Sequence, residues 1–412
     1  MKTRTSCSSR WSGLLTGVAL AVSAPSQCLA VLTNVPAMVL AQGNTRFAVD
    51  LYQRVRNEGD NVFFSPYSIS TALGMTYAGA RGLTATEMAR VLHFTMAQDQ
   101  LPAAFGALAA QLEAVQAKKQ IRLSIANSLW AHKHSRFLDE FLNLCRQHYR
   151  AAARQVDFVS QSESTRREIN SWVEDKTQDK IKNLIRQGDL TPLTRLVLCN
   201  AIYFKGNWTR QFNSKATQPA PFFLAPDRSV QAPMMHQKAQ FKAVELEGFS
   251  LVELDYAGGE VSMVLLLPQA VDGLPALEQR LSGDTLPQWL TQLQASPARE
   301  ADLYLPRFKT NCRLQLARTL AQMGMPLAFS PEADLSGMDG SKTLSIDKVI
   351  HQAFVDVNEE GTEAAAATAV TMKRTAILRT PVYRADHPFL FLIREKQTGS
   401  ILFVGRLADP TR

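Results

Sequence analysis

Histidines and serines are the residues of this chain whose spacing could carry catalysis or metal binding. His132 and His134 stand two positions apart, but no acidic or cysteine partner accompanies them to complete a ligand set. Ser65 and Ser68 fall at the start of a helical pattern, where serine usually caps the backbone. The chain has no GxSxG elbow, no phosphate loop, no HExxH and no dinucleotide fingerprint. We therefore predict that the protein is not an enzyme and has no metal site and no cofactor.

Beyond residue 30 the chain has three cysteines, Cys145, Cys199 and Cys312, which are odd in number and widely separated. This spacing is not that of a disulfide framework. Cys199 lies within an apolar run, so we predict that the cysteines pack in the interior, with at most one pairing among them.

The most unusual stretch runs from Glu359 to Thr368 and reads EEGTEAAAAT. Its alanines favour a helix, whereas the strand-like residues before it and Gly361 argue against a simple continuous helix. Every second residue is small, as shown by Thr362, Ala364, Ala366 and Thr368. A strand with these residues on one face could slide between two existing strands without displacing the core beneath. The segment is therefore compatible both with an exposed loop and with a buried strand.

The N terminus has the pattern of a secretory signal peptide. Lys2, Arg4 and Arg10 precede an apolar run at 14–22, which is shorter than the roughly 20 residues of a membrane span. Small residues then lead to Ala30, so we predict cleavage after Ala30 and export to the extracellular space, or to the periplasm of a bacterium. A buried N-terminal helix is the alternative. Loss of the three basic residues lowers the formal charge by three, from +8 to +5.

The remaining composition is that of a soluble globular protein, with 46% apolar and 20% charged residues. Basic residues are scattered, with clusters at 118–122 and 146–154. Solvated helix faces explain such runs more simply than a nucleic acid does. We predict no nucleic-acid partner, and a polyanion cofactor is a weaker alternative.

The scaffold that must position these segments combines helices and sheets. Helical spacing predicts helices over 45–56, 68–93, 102–117, 138–149, 164–176 and 310–324. The apolar run at 197–204 is typical of a strand covered on both faces. Hairpins are predicted over 249–267, turning at Gly258-Gly259, and over 389–404, turning at Thr398-Gly399. Helices first and sheets later, without repeat or linker, indicate one α+β domain.

Five motifs together resemble the serpin family, in particular its inhibitory members. They are EEGTEAAAAT at 359–368, NVFFSP at 61–66 with the helix after it, NAIYFKGNW at 200–208, ADLS at 333–336, and HPF at 387–389 with the later Gly405-Arg406. The resemblance implies a serpin fold, with a central five-stranded sheet, two smaller sheets, about nine helices and an exposed reactive-centre loop. It divides the chain into a signal peptide at 1–30, a lead at 31–44 and a serpin domain at 45–412, with the loop at 359–380.

The resemblance also implies an activity. Such a protein is a suicide substrate of a serine-type endopeptidase, and in some cases of a cysteine endopeptidase. The protease cuts the loop and forms an ester with it, and is trapped when the loop inserts into the central sheet as a new strand. A non-inhibitory carrier, chaperone or storage protein is the alternative, although such members commonly have a charged, bulky or proline residue within 362–368.

The resemblance places the cleavage site by counting. Thr375 is the seventeenth residue from Glu359, which implies that Thr375–Ala376 is cut by an elastase-like or subtilisin-like protease. Arg374 stands one position earlier, so cleavage of Arg374–Thr375 by a trypsin-like enzyme is the alternative. Ile377 and Leu378 are further candidates for the residue before the cut.

The resemblance also implies a monomer. In addition, it assigns roles to further single residues of this sequence. The hinge of the loop corresponds to Glu359, Glu360, Gly361, Thr362, Glu363, Ala364, Ala365, Ala366, Ala367 and Thr368. The cluster that controls opening of the central sheet corresponds to Ser65, Ser68, Asn200 and His351. The place where the loop first enters the sheet corresponds to Trp208, Arg307 and Glu359. Asn207-Trp208-Thr209 has the form of a glycosylation sequon, but its place in a strand motif favours a structural role.

Overall fold

The computed structural model describes residues 26–57, 60–362 and 380–412, with side chains from residue 35 onward. Ten α-helices lie in these ranges: α1 Ser26–Val55, α2 Pro66–Gly79, α3 Gly82–Val91, α4 Leu101–Ala117, α5 Asp139–Tyr149, α6 Ser162–Lys176, α7 Leu274–Arg280, α8 Thr285–Ala295, α9 Ala317–Met323 and α10 Ser336–Asp339. The strands are β1 Val62–Phe64, β2 Ile121–His132, β3 Ala152–Val156, β4 Leu196–Asn207, β5 Gln218–Ala225, β6 Arg228–Leu246, β7 Phe249–Asp255, β8 Val261–Pro268, β9 Ala298–Pro306, β10 Phe308–Gln315, β11 Lys348–Val357, β12 Gly361–Thr362, β13 Val382–Arg384, β14 Phe389–Glu395 and β15 Ile401–Leu407.

The central sheet has the strand order β10-β11-β12-β4-β2-β3. Five of these strands have five or more residues, and β12 is a two-residue strand that lies between β11 and β4 at one end. Beyond β12, strands β11 and β4 pair directly and in parallel, from Lys348 opposite Val197 to Phe354 opposite Tyr203. The predicted five-stranded sheet is confirmed, and it already holds the beginning of a sixth strand.

A second sheet of nine strands has the order β1-β15-β14-β8-β7-β6-β9-β13, with β5 also paired to β6. The resemblance implies two smaller sheets, but the long strand β6 joins them. One part of β6 pairs with β5 and β9, and its last residues pair with β7. Both predicted hairpins are present, as β7–β8 and β14–β15.

Three of the predicted helices differ from the structure. The helix predicted over 45–56 begins at Ser26, as α1, so it includes the predicted lead at 31–44 and crosses the predicted cleavage site after Ala30. The pattern at 68–93 is split between α2 and α3, because Ala80 is extended (φ −73°, ψ 151°) and Gly82 has a left-handed φ of +52°. The helix predicted over 310–324 is wrong in its first half. Residues 308–315 form β10, whose first four residues are alternately buried and exposed, as in a strand with one face on the core.

Apolar residues of the central sheet are covered on both faces, as the continuous run in β4 predicts. Helix α2 lies on one face, with Ser65 as its N-cap and Pro66 in its first turn, and nearly all of its residues are buried. On the other face lies a layer that we call the front cover, which consists of α6 and residues 177–195. It encloses a separate apolar cluster with β2 and β4, which includes Trp130, Ile185 and Cys199.

The cysteines of the described part are interior packing residues. Cys145 and Cys199 are buried, Cys312 is half-buried, and none of the three forms a disulfide. Burial raises the pKa of the Cys145 thiol to about 12, so this thiol stays protonated and unreactive at neutral pH.

Candidate functional site

The chain that leaves β11 turns back at once into the central sheet. The amide of Asn358 donates to the carbonyl of Gly361 (2.9 Å), and the amide of Gly361 donates back to the carbonyl of Asn358 (3.3 Å). Gly361 has a φ of +156°, and a Cβ at this position would lie 2.1 Å from the carbonyl oxygen of Gly206. Glycine is therefore required here, because β12 passes directly against the backbone of β4.

Glu360, the second predicted hinge residue, lies in this turn and not in the strand that follows it. It is half-buried, and its backbone holds the turn in place. The carbonyl of Glu360 accepts from the amide of Trp208 (2.9 Å), and its own amide donates to Oδ1 of Asn358 (3.1 Å). Of the predicted hinge residues that the structure describes, Gly361 and Thr362 pair with β4, whereas Glu359 and Glu360 precede that pairing. Glu359 and Glu360 stay in the turn, because strand pairing with β4 begins only at Gly361.

Thr362 is the last described residue of this segment, and it is fully buried. It stands between Gly206 of β4 and Val357 of β11, with its hydroxyl 2.8 Å from the hydroxyl of Tyr256. The ring of Tyr256 stacks on Trp208, with the centroids 4.5 Å apart. Burial raises the pKa of Tyr256, so its hydroxyl stays neutral. No sequence motif signals this role, since Tyr256 stands simply beside the hairpin turn.

The residues predicted where the loop enters the sheet lie together. The Arg307 guanidinium pairs with the Glu359 carboxylate, which also accepts a hydrogen bond from the Thr217 hydroxyl (2.6 Å). Burial raises the pKa of Glu359, but the hydrogen bonds from Arg307 and Thr217 outweigh burial and lower it overall. The indole N–H of Trp208 donates to the carbonyl of Asn358 (3.0 Å). These contacts fix the turn that starts β12.

The predicted sheet-opening residues form one buried network beneath the pairing of β4 and β11. Asn200 of β4 stands opposite His351 of β11 on one side and Asn127 of β2 on the other. The Asn200 side chain contacts His351, Ser68 and Asn127, and the Ser68 hydroxyl lies 3.3 Å from Asn127. Ser65 caps α2 by accepting from the amide of Ser68 (3.1 Å). The sequence motifs do not include Asn127, and only knowledge of the strand register could have placed it there.

The hydrogen bonds fix the protonation of His351. The Ser65 amide can only donate, so Nε2 of His351 accepts it (3.1 Å), and the proton of the neutral ring lies on Nδ1, facing the Asn200 oxygen. Burial lowers the pKa of His351 to about 3, so the ring is neutral at physiological pH. The contact between His351 and Asn200 joins β11 to β4. A strand inserted between β11 and β4 must separate these two side chains.

Several predicted site residues lie outside the described residues. They are the later hinge positions Glu363, Ala364, Ala365, Ala366, Ala367 and Thr368, and the candidate cleavage residues Arg374, Thr375 and Ala376. The chain resumes at Thr380, after which β13 pairs in parallel with β9 of the nine-stranded sheet. The Arg384 guanidinium lies 4.0 Å from the ring centroid of Tyr304, which in turn stacks on His236. One end of the loop is thus held in the central sheet and the other in the nine-stranded sheet.

A family model described as Serpin (serine protease inhibitor) matches residues 42–410. The chain belongs to the serpin family. Among similar curated proteins, Serpin B3 of Homo sapiens is 40% identical over 388 residues, covering 90% of this chain and 99% of its own. Leukocyte elastase inhibitor of Bos taurus is 42% identical over 379 residues, with the same coverage. The resemblance drawn from the sequence is thereby confirmed.

Solved serpin structures share the fold. Uncleaved ovalbumin matches with a TM-score of 0.81 at 30% identity, covering 90% of this chain and all of its own. Human thyroxine-binding globulin in complex with thyroxine matches with a TM-score of 0.82 at 32% identity, covering 92% of this chain and all of its own. The α+β serpin fold expected from the sequence is confirmed.

Potential metal ligands are dispersed over the described part of the chain. Within residues 26–57, 60–362 and 380–412, no three or more His, Cys, Asp or Glu side chains are grouped so that they could hold a metal ion. His132 and His134 lie close together, with ring centroids 4.9 Å apart, and burial is the main cause that lowers the pKa of His132. Within the same ranges, every helix is too short or too polar to cross a membrane.

Proposed function

We propose that this serpin inhibits a serine-type endopeptidase, and in some cases a cysteine endopeptidase, as a suicide substrate that acts once. The observation that carries the proposal is the position of β12. Gly361 and Thr362 already occupy the place of a strand between β11 and β4, so the remainder of the loop has a path along which to follow. After cleavage, continued pairing along this path forms a full strand.

The register of β12 supports this path. Thr362 stands opposite Gly206 and Val357, so six further residues bring Thr368 opposite Asn200 on one side and His351 on the other. The registers of β12 with β4 and with β11 agree, because both place Thr368 beside residues that are paired with each other in the structure, Asn200 and His351. Thr362 faces the interior, so Ala364, Ala366 and Thr368 would also face the interior, where only small side chains fit.

The driving force is sufficient for a trap. Insertion replaces one set of backbone hydrogen bonds between β4 and β11 with two, for a net gain of about ten bonds and about 10 kcal/mol at about 1 kcal/mol each. Distortion of the protease needs less, because loss of one oxyanion-hole donor slows acyl transfer by about 10²–10³. The ester between protease and loop therefore outlasts the insertion.

The bond that we propose as the target of cleavage is Thr375–Ala376, with Arg374–Thr375 as the alternative. Along the same register, residue 372 reaches the level of Leu196, the first residue of β4. Thr375 lies three residues further, where a bound protease would be clear of the sheet. Relatives named as elastase inhibitors favour an elastase-like target over a trypsin-like one.

The test is to mix the mature protein with elastase-like, subtilisin-like and trypsin-like proteases and to run denaturing gels. We expect a covalent band of the combined mass with an elastase-like or subtilisin-like enzyme. Cleavage at Thr375–Ala376 releases residues 376–412, and cleavage at Arg374–Thr375 releases residues 375–412, so the mass of this peptide identifies the bond. Clean loop cleavage that leaves the protease active contradicts inhibition and favours a carrier, chaperone or storage role.

We also propose that the protein is exported and that the signal peptide ends at Ala30. Residues 1–25 lie outside the described residues, so the support comes from the basic and apolar pattern of the sequence. N-terminal sequencing of the protein from the culture medium or periplasm is expected to begin at Val31. Retention of the whole chain inside the cell contradicts this proposal.

A further inference from the structure

The front cover is joined to β10 by an ion pair that is nearly inaccessible to water. The Arg313 guanidinium pairs with the Asp189 carboxylate, and the side chains are only 9% and 11% exposed. Arg313 Nε also donates to the carbonyl of Leu184 (2.7 Å), and Gln315 Nε2 donates to Asp189 Oδ1 (2.9 Å). Every one of these bonds runs from β10 to residues 184–189, so they form one attachment, which we call the Arg313–Asp189 latch.

The opposite side of the front cover is fixed to β4. The cover runs directly into β4 at Leu196, and its residues Ile181, Leu184 and Ile185 pack in the same apolar cluster as Val197. Asn170 of α6 exchanges two hydrogen bonds with the backbone of Ile185 (2.8 and 2.9 Å), so the two parts of the cover act as one layer. The same cluster includes Ala126 and Trp130 of β2 and, from β11, Ile350, so most of the core beneath the cover lies on the β4 side. The cover is therefore anchored to β4 by its chain and by most of its core, and to β10 by the latch.

These two anchors lie on opposite sides of the path of the inserting strand. In the sheet order, β10 and β11 are on one side and β4 is on the other. Arg313 pairs with Gln352 of β11, which pairs with Ala201 of β4, so the latch lies at the level of the sheet centre. A new strand between β11 and β4 moves β10 away from β4 by about 4.8 Å. Hydrogen bonds between a cover fixed on β4 and a strand that has moved so far cannot persist.

We propose that Arg313 and Asp189 are positioning residues for protease trapping: their ion pair holds the front cover across the closed sheet and must open before the loop can insert past the sheet centre. This rests on the proposed function, since it concerns the rate of loop insertion. The latch sets how much of the cleaved protein traps its protease and how much releases it. A stronger latch favours release, and a weaker latch favours capture.

A peptide-uptake experiment tests the latch without any protease. The probe is a synthetic peptide with the sequence of residues 363–372, EAAAATAVTM, which can fill the path beyond Thr362, where β12 ends. Uptake is followed on native gels and by the rise of the unfolding temperature. Because a barrier change of about 1.4 kcal/mol is tenfold in rate, Arg313→Met and Asp189→Asn are expected to accelerate uptake by about tenfold or more. Arg313→Lys keeps the charge but not the second hydrogen bond, so its rate is expected to be intermediate.

Arg394→Met is the matched control. Arg394 pairs with Glu253 at 2.7 Å, and the two side chains are 6% and 4% exposed, but this pair lies in the nine-stranded sheet and does not span the path. Loss of either pair is expected to lower the urea midpoint to a similar degree, whereas only the latch variants take up peptide faster. Unchanged uptake in Arg313→Met, or equal acceleration in Arg394→Met, would refute the latch.

The outcomes separate the latch from the proposed function. If the wild-type protein takes up the peptide and the latch variants do so at the same rate, the latch proposal is wrong and the trapping mechanism still stands. Failure of the wild-type protein to take up peptide removes both, because there is then no insertion to control. Under conditions in which the wild-type protein consumes more than one molecule per protease trapped, Arg313→Met is expected to lower that ratio toward one.

Discussion

Thr362→Arg is the substitution that bears most directly on insertion. Thr362 is completely buried between β4 and β11, and its hydroxyl contacts Tyr256. The substitution loses a hydrogen bond of about 1 kcal/mol and places an unpaired guanidinium in the sheet, at a cost of several kcal/mol. Because this cost expels β12 from the sheet of the uncleaved variant, it must be met when the loop inserts, and a barrier raised by about 4 kcal/mol slows insertion roughly a thousandfold. Hydrolysis of the ester then precedes trapping, and the inhibitor becomes a substrate.

The assay for this variant compares the fraction of protease in covalent complex with the fraction of protein cleaved in the loop. For Thr362→Arg we expect nearly complete cleavage, no covalent band and full recovery of protease activity. Thr362→Ser keeps a hydroxyl and should retain trapping, and Thr380→Arg places the same charge at the other end of the loop, outside the path. If Thr362→Arg traps as efficiently as Thr380→Arg, insertion along this path is refuted.

Three further outcomes follow from the site. The pKa of His351 is about 3 in the folded protein and about 6.5 in the unfolded protein. Its contribution to stability is therefore complete above pH 6.5 and falls by about 1.4 kcal/mol per pH unit toward pH 3. Between pH 7 and pH 5, the free energy of unfolding measured in urea should fall more in the wild type than in His351→Gln. Tyr256→Phe keeps the stacked ring but loses the bond to Thr362, so the free energy of unfolding should fall by about 1 kcal/mol, and no change would argue against that bond. Arg307→Met leaves the Glu359 carboxylate without its cation. Since Arg307 is 44% exposed, we expect the free energy of unfolding in urea to fall by only about 1 kcal/mol at pH 7. This difference from the wild type should shrink in acid, where Glu359 is protonated.

Much of the fold could be predicted from local patterns. The apolar run in β4 and the Gly258-Gly259 hairpin are signals that depend only on neighbouring residues, and both are present. The incorrect prediction of a helix over 310–324 also came from a local pattern. Leu314, Ala317 and Leu320 stand three residues apart, but they straddle the end of β10 and the start of α9. What makes residues 308–315 a strand is pairing with β11, which local spacing does not reveal.

The functional residues divide in the same way. Glu359 and Gly361 belong to a contiguous motif, which is why the sequence alone points to them. Asn127 and Tyr256 escape such prediction, because each acts through a partner far away in the sequence, Asn200 and Thr362 respectively. The Arg313–Asp189 latch is a pair of this kind too. Long-range side-chain contacts of this type become visible only when the strand register is known.

The position of β12 also bears on the order of events during synthesis. The turn at Asn358–Gly361 joins β11 to the following segment through a few residues, whereas the pairing of Asn200 with His351 joins residues 151 positions apart. Local hairpins form faster than long-range pairs, so a refolding chain can pair the loop with β11 before β4 arrives. On the ribosome, β4 ends at Asn207 and β11 begins at Lys348, so at roughly 5–20 residues per second β4 is complete about 7–30 seconds before β11 appears. We expect that chain direction favours the active form, and that refolding from urea gives a larger fraction unable to take up the loop peptide than synthesis does.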